Sequence, residues 1–221
     1  MPRAQFAEGE YYHIYNRGVE KRSIFTNDQD RWRFLTLLII LQGDTSIPQI
    51  KRILPNVQHW RLDDELFQEI EKNRTVELIS FCLMPNHYHL MLGEIKEGGI
   101  SKFMQRISDS YTKYFNIKYD RSGHLFGGKF QSVHIDENTY LNYLSAYIHL
   151  NPRGLNSWHS KEISYPWSSF QDFCKENRFG KFLNPSLILD QFADKKEYRN
   201  FVESTSFKKI ENRLGSEYLI D

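Results

Sequence analysis

Two histidines flank one bulky residue in His87-Tyr88-His89, inside the apolar run Leu83-Met84-Pro85-Asn86-His87-Tyr88-His89-Leu90-Met91-Leu92. On a strand, side chains two apart share a face, so both imidazoles point the same way. Paired imidazoles can hold one divalent cation. Farther on, Tyr147-Ile148-His149-Leu150-Asn151-Pro152 carries a phenol with a metal-capable amide four residues later. On a helix that spacing places both on one face. A phenol is a poor nucleophile at its free pKa of roughly 10, and a cation that polarises a phosphate helps it. The two segments together suit phosphoryl transfer through a covalent tyrosine intermediate.

The same residues have ordinary explanations. A histidine pair on a strand is commonly structural, and Tyr147 is one of 13 tyrosines, beside the apolar stripe of Leu144 and Ile148. Two imidazoles on a central strand nevertheless need partners, and a cation would supply one. Tyr140 and Tyr143 share the helix with Tyr147 but have Leu144 and Tyr147, not an amide, four positions on. His134 is an alternative ligand at the end of a strand. His149, two positions from Tyr147, points elsewhere on a helix.

The elements that must position these groups follow from pattern. Glu10–Arg17 is aromatic and β-branched and reads as a first strand, ended by Gly18. Thr26 or Asn27 caps a helix to about Gln42. Residues 43–75, with Gly43, Pro48, Pro55 and the charged Asp63-Asp64-Glu65, read as a helical insert. Val76–Leu83 and Tyr88–Gly93 are strands joined by a turn at Met84-Pro85-Asn86. Ser101 to about Tyr119 carries Phe103, Met104, Ile107, Tyr111, Tyr114 and Phe115 at helical spacing. Lys129–His134 reads as a fourth strand. Asp136 caps a helix from Glu137 to Leu150, which Pro152 should end at Asn151. Residues 156–221 read as a helical extension. The order predicts an α+β, ferredoxin-like sandwich: an antiparallel sheet with helices on one face, the other face free for a substrate.

Composition bounds the rest. The 221 residues suffice for one sizeable domain, and an aromatic share of 15% favours a packed globule. Lys and Arg number 29 against 28 Asp and Glu, so net charge neither suggests nor excludes nucleic acid. Distribution is more telling: Lys102, Arg106, Lys113, Lys118, Arg121 and Lys129 crowd one stretch, against Asp109 and Asp120, while residues 61–77 lean acidic. Cys82 and Cys174 fit no metal spacing and read as free thiols of a reducing cytoplasm. The start Met1-Pro2-Arg3-Ala4-Gln5 has no signal-peptide core, and Thr36–Leu41 is too short to span a membrane.

Four segments, in this order, resemble the REP-associated branch of the single-tyrosine HUH transposases, the IS200-like family. They are His13-Ile14-Tyr15-Asn16-Arg17-Gly18, Met84-Pro85-Asn86-His87-Tyr88-His89-Leu90, Gly123-His124-Leu125-Phe126-Gly127-Gly128-Lys129-Phe130-Gln131-Ser132, and Tyr147-Ile148-His149-Leu150-Asn151-Pro152. Trp167-Ser168-Ser169 extends the likeness. The second and fourth carry most of it.

The resemblance implies a transposase domain over 1–155 and a helical extension over 156–221. It implies that Tyr147 cuts single-stranded DNA, forming a 5′-phosphotyrosine and freeing a 3′-hydroxyl, and that His87, His89 and Asn151 hold Mg²⁺ or Mn²⁺. The target would be an imperfect, REP-like hairpin beside a short guide sequence. Arg17, Lys102, Arg106, Lys113, Arg121, Lys129 and Arg153 become candidate DNA contacts. A cytoplasmic, nucleoid-associated bacterial protein is implied, a monomer rather than a homodimer that exchanges its tyrosine helix. Three features depart from the family pattern: Phe126 stands where tryptophan is common, Arg153-Gly154-Leu155 is a shortened basic turn, and the 43–75 stretch is longer than in compact relatives. A non-cleaving hairpin-binding protein and a phosphodiesterase using activated water are the alternatives.

Overall fold

A computed structural model describes residues 5–44 and 64–215. In chain order it contains β1 (Tyr11–Arg17), α1 (Asp28–Ile40), α2 (Asp64–Lys72), β2 (Val76–Met84), β3 (His87–Glu94), α3 (Gly99–Lys118), β4 (Gln131–Ile135) and α4 (Asn138–Leu150). The short α5 (Phe170–Cys174) and α6 (Ser186–Leu189) follow, then α7 (Lys195–Ser204) and α8 (Phe207–Leu214). All strand pairings are antiparallel and the sheet order is β2-β3-β1-β4. With α1 between β1 and β2, and α3 between β3 and β4, this is the expected ferredoxin-like arrangement.

Alternation along β3 separates two faces. Tyr88 points to the first, where its ring meets Phe34 of α1 at 5.0 Å and Phe126 at 5.9 Å. Phe103, Met104, Ile107, Tyr111 and Phe115 of α3 are buried on the same side, and the Tyr111 hydroxyl donates to Ile24 O at 2.6 Å. Tyr111 and Phe115 are core residues. Asn27 and Asp30 form a capping box at the start of α1. Buried Asp30 also accepts from Lys118 Nζ at 2.6 Å, Tyr119 OH at 2.7 Å and Tyr114 OH at 3.0 Å. One carboxylate thereby ties the start of α1 to the end of α3.

The second face is not open, contrary to the expectation of helices on one face. α4 crosses it, and the Tyr147 ring stands edge-on over His89 and His13. The cause lies in α4 itself. Residues 143–150 are buried without a break, so this helix must be covered on every side. The sheet covers one side. On the other, Phe201 of α7 packs on Tyr143, and Lys209 and Arg213 of α8 lie over the same ring.

Three local expectations shift. Glu137, not Asp136, takes the N-cap position of α4, with no side-chain capping bond. α4 ends at Leu150, but Asn151 keeps helical geometry (φ −47°, ψ −42°) and opens a tight turn over Asn151–Gly154. Pro152 is tolerated there because the first turn of a helix needs no N–H from it. β4 starts at Gln131 rather than Lys129. Of the insert expected over 43–75, residues 45–63 lie outside the described residues, and the rest contributes α2. Its ends meet: Gly43 bridges Arg74, and Thr75 N donates to Gln42 O at 2.8 Å.

The tip that presents His87 is clamped. Ile24 N and Phe25 N donate to Pro85 O at 2.9 and 3.0 Å, and Gly18 N donates to Asn86 O at 2.8 Å. A Cβ at Gly18 would lie 2.2 Å from Arg22 O, so only glycine lets the chain fold back here. On the outer side of β2, Leu83 N donates to Trp167 O at 2.8 Å and Ser169 N to Phe81 O at 3.0 Å. Among the described residues no helix is long and apolar enough to cross a membrane. Cys82 is buried, Cys174 is half-buried, and both are free thiols.

Candidate active site

Strand register assembles the site. β1 runs against β3 with Arg17 opposite His87, Tyr15 opposite His89 and His13 opposite Met91. His13, Tyr15 and Arg17 therefore share the histidine face. His87 and His89 rings lie 5.1 Å apart, and the Tyr147 ring meets His89 at 5.0 Å and His13 at 6.2 Å. Asn151 Oδ1 lies 3.1 Å from His87 Nε2, while its Nδ2 donates to Tyr147 O at 3.1 Å. The structure thus brings Tyr147, His87, His89 and Asn151 together within one chain.

The hydrogen bonds around His87 bear on whether a cation fits. Nδ1 lies 2.7 Å from Asn86 Oδ1, whose amide is oriented by Nδ2 donating to Lys21 O at 3.2 Å. Nε2 faces Asn151 Oδ1, oriented in the same way through Tyr147 O. Both ring nitrogens therefore face amide oxygens, which only accept, yet a neutral imidazole carries one proton. With that proton on Nδ1, Nε2 and Asn151 Oδ1 present two lone pairs to each other. A cation between them removes the conflict, and so does a second proton on the ring. Among the described residues no three His, Cys, Asp or Glu side chains gather as a metal site; the donor set here is two imidazoles and an amide oxygen, and it fits the ion.

Burial sets the charge state of the neighbouring rings. His89 ionises well below the ordinary histidine range, first because it is fully buried and then because His87, His13 and Arg17 oppose another positive charge. Burial likewise pushes His13 down to about 3. Both are neutral at pH 7, as ligation and its support require.

His87 and Asn151 open onto a cleft of about 590 Å³, lined also by Lys21, Ser23, Gly154 and Phe207. Tyr147 does not line it and is fully buried. Sequence reading passed over Lys21, whose carbonyl orients Asn86, and over His13, which lies 2.9 Å from His89. The rivals fall elsewhere. His134 pairs with Glu10 at 2.7 Å on the surface, so it is not an alternative ligand. His149 turns away from the site to Tyr198 OH at 2.7 Å and Ser169 Oγ at 2.9 Å.

The basic residues do not form one patch around the histidines. Arg17 lies on their face, and Arg153 follows Asn151 but is held by Glu162 at 2.6 Å. Lys102 pairs with Asp44, and Arg106 donates to Gly43 O at 2.8 Å, both at the neck of the insert. Arg121 lies over the Phe115 ring at 5.6 Å. Lys113 and Lys129 line a second cleft of about 770 Å³ between α3 and the 124–130 loop, with His124, Ser108 and Thr112.

Residues 51–151 match the family model described as "Transposase IS200 like". The matched span contains His87, His89, Tyr147 and Asn151. No curated protein matches the chain. A solved structure of a REP-associated tyrosine transposase bound to a REP hairpin aligns with TM-score 0.49 and 14% identity, over 78% of this chain and 83% of that one.

Proposed function

We propose that this chain, whose residues 51–151 match the IS200-like transposases, is a DNA transposase that cleaves and rejoins single-stranded DNA at hairpin-bearing sites. The observation that carries this reading is the convergence of a phenol on paired imidazoles: Tyr147 lies 5.0 Å from His89 between ring centres. Asn151, at the end of the same helix, reaches His87. The motif resemblance supplies the hairpin.

In the proposed reaction Tyr147 Oη bonds to the scissile phosphorus as the bond to the 3′-oxygen breaks. The phenolic proton ends on the released 3′-hydroxyl. The phosphotyrosine keeps the energy of the broken linkage, so another 3′-hydroxyl can reverse the step without ATP. His87, His89 and Asn151 would hold Mg²⁺ or Mn²⁺, which would supply Lewis-acid polarisation of the phosphate. Asn86 sets the His87 proton on Nδ1, and α4 sets the direction of Tyr147. Because Tyr147 is fully buried, its side chain must turn toward the cleft before it meets DNA.

That burial is also what favours the alternative, a hairpin-binding protein that does not cut. A labelled hairpin oligonucleotide incubated with the protein and Mn²⁺ separates the readings. We expect a covalent protein–DNA adduct that Tyr147→Phe abolishes. Binding without cutting supports the recognition module. Cutting that survives Tyr147→Phe without an adduct points to activated water.

A further inference from the structure

We infer that His13 is a positioning residue for the cation site: it accepts a hydrogen bond from His89 Nδ1–H and so holds His89 in the tautomer whose Nε2 carries the lone pair. The inference rests on the reading of His87, His89 and Asn151 as cation ligands.

His13 Nε2 and His89 Nδ1 lie 2.9 Å apart, with the rings stacked at 5.1 Å and 21° and both side chains fully buried. Neither outer nitrogen, His13 Nδ1 nor His89 Nε2, meets a hydrogen-bond partner among the described residues. Two neutral imidazoles carry two protons on four nitrogens. One proton must lie in the shared bond, and the other must sit on an outer nitrogen.

Only two arrangements satisfy this count. In the first, His89 donates from Nδ1, its Nε2 is bare, and His13 keeps its proton on Nδ1. In the second, His13 donates from Nε2, His89 carries its proton on Nε2, and no lone pair is left there for a ligand bond. Each arrangement leaves one buried donor and one buried acceptor without partners, so neither is strongly preferred by the protein alone. A cation on His89 Nε2 satisfies the bare nitrogen of the first arrangement and is incompatible with the second. Passing from second to first shifts one proton within each ring and changes no net charge. His13 is the acceptor that makes the first arrangement available, and its hydrogen bond strengthens the His89 lone pair.

Mn²⁺ titrated into the full chain without DNA, with free Mn²⁺ read by electron paramagnetic resonance, tests this. Wild type should bind, and His89→Ala should not. His13→Ala should weaken binding by about 10–100-fold, the usual consequence of losing the group behind a metal-bound histidine. His13→Gln, whose amide oxygen can accept from Nδ1–H, should recover most of that loss. Independently, ¹⁵N imidazole spectra of Mg²⁺-saturated wild type should show His89 protonated at Nδ1, a readout that needs no His13 variant to fold. Mn²⁺ binding by His13→Ala within twofold of wild type, or a His89 proton on Nε2 at saturating Mg²⁺, overturns the role of His13. Absence of Mn²⁺ uptake by wild type, or unchanged uptake by His89→Ala, overturns instead the ligand reading beneath it.

Discussion

Arg17 stands directly opposite His87 in the antiparallel register of β1 and β3. Of the basic residues flagged in the sequence, it is the one that shares the histidine face. Its charge reaches His89, and its buried Nε meets no partner among the described residues. A guanidinium fork at this place is suited to two phosphate oxygens at once.

Arg17→Ala should therefore slow single-turnover cleavage of a hairpin oligonucleotide by about 10²–10³-fold, the scale of losing one charge-stabilising donor. Hairpin affinity should change far less. Arg17→Lys should recover little, because an ammonium cannot reproduce the fork. Equal losses in binding and cleavage would place Arg17 in general DNA attraction instead.

Lys113 and Lys129 line the α3-side cleft, whereas Lys102 is paired to Asp44. Removing a lysine that neutralises a phosphate should lower the slope of log affinity against log salt by about 1. We expect that change for Lys113→Ala and for Lys129→Ala, and a smaller one for Lys102→Ala. Fluorescence anisotropy over a salt series measures it. Unchanged slopes for the first two would remove that cleft from the DNA path.

Asp30 governs a pH dependence of folding. Burial alone would raise its carboxyl, but bonds from Lys118, Tyr119, the Thr26 N–H and Tyr114 prevail and hold it below the ordinary carboxylate range. A group depressed in the folded state contributes its stability in full above the unfolded value. That contribution is lost as pH falls from about 4 through the lower folded value. Asp30→Asn leaves Lys118 beside a neutral amide and should cost about 3 kcal/mol at pH 7, as breaking a buried pair does. The difference from wild type should shrink below pH 4. Urea unfolding at pH 7 and pH 3 checks this, and a difference that does not vary with pH would contradict it.

Much of this arrangement is legible in the sequence because it is local. Period-two alternation gives β3 and the shared face of His87 and His89, and helical spacing gives Tyr147 and Asn151 one side of α4. What is not legible depends on register. His13 and His89 are 76 positions apart, and alternation assigns each a face without naming its neighbour across the sheet. The covered second face had a visible cue in the largely apolar Tyr143–Leu150 run, since such a helix needs more than a sheet beneath it. For Lys102 and Arg106, charge patterning does not reveal that the neck of the insert returns to engage them. Asn151 departs from the pre-proline rule because the tight turn after α4 still lets its N–H reach Tyr147 O.

The Trp167-Ser168-Ser169 segment has a consequence for how copies of this chain meet. By bonding along the outer side of β2, it occupies the donors and acceptors that a foreign strand would otherwise capture. Beside Phe81–Leu83 the margin therefore offers an incoming strand fewer free backbone groups. The opposite margin ends in Gln131–Ile135, a strand of only five residues.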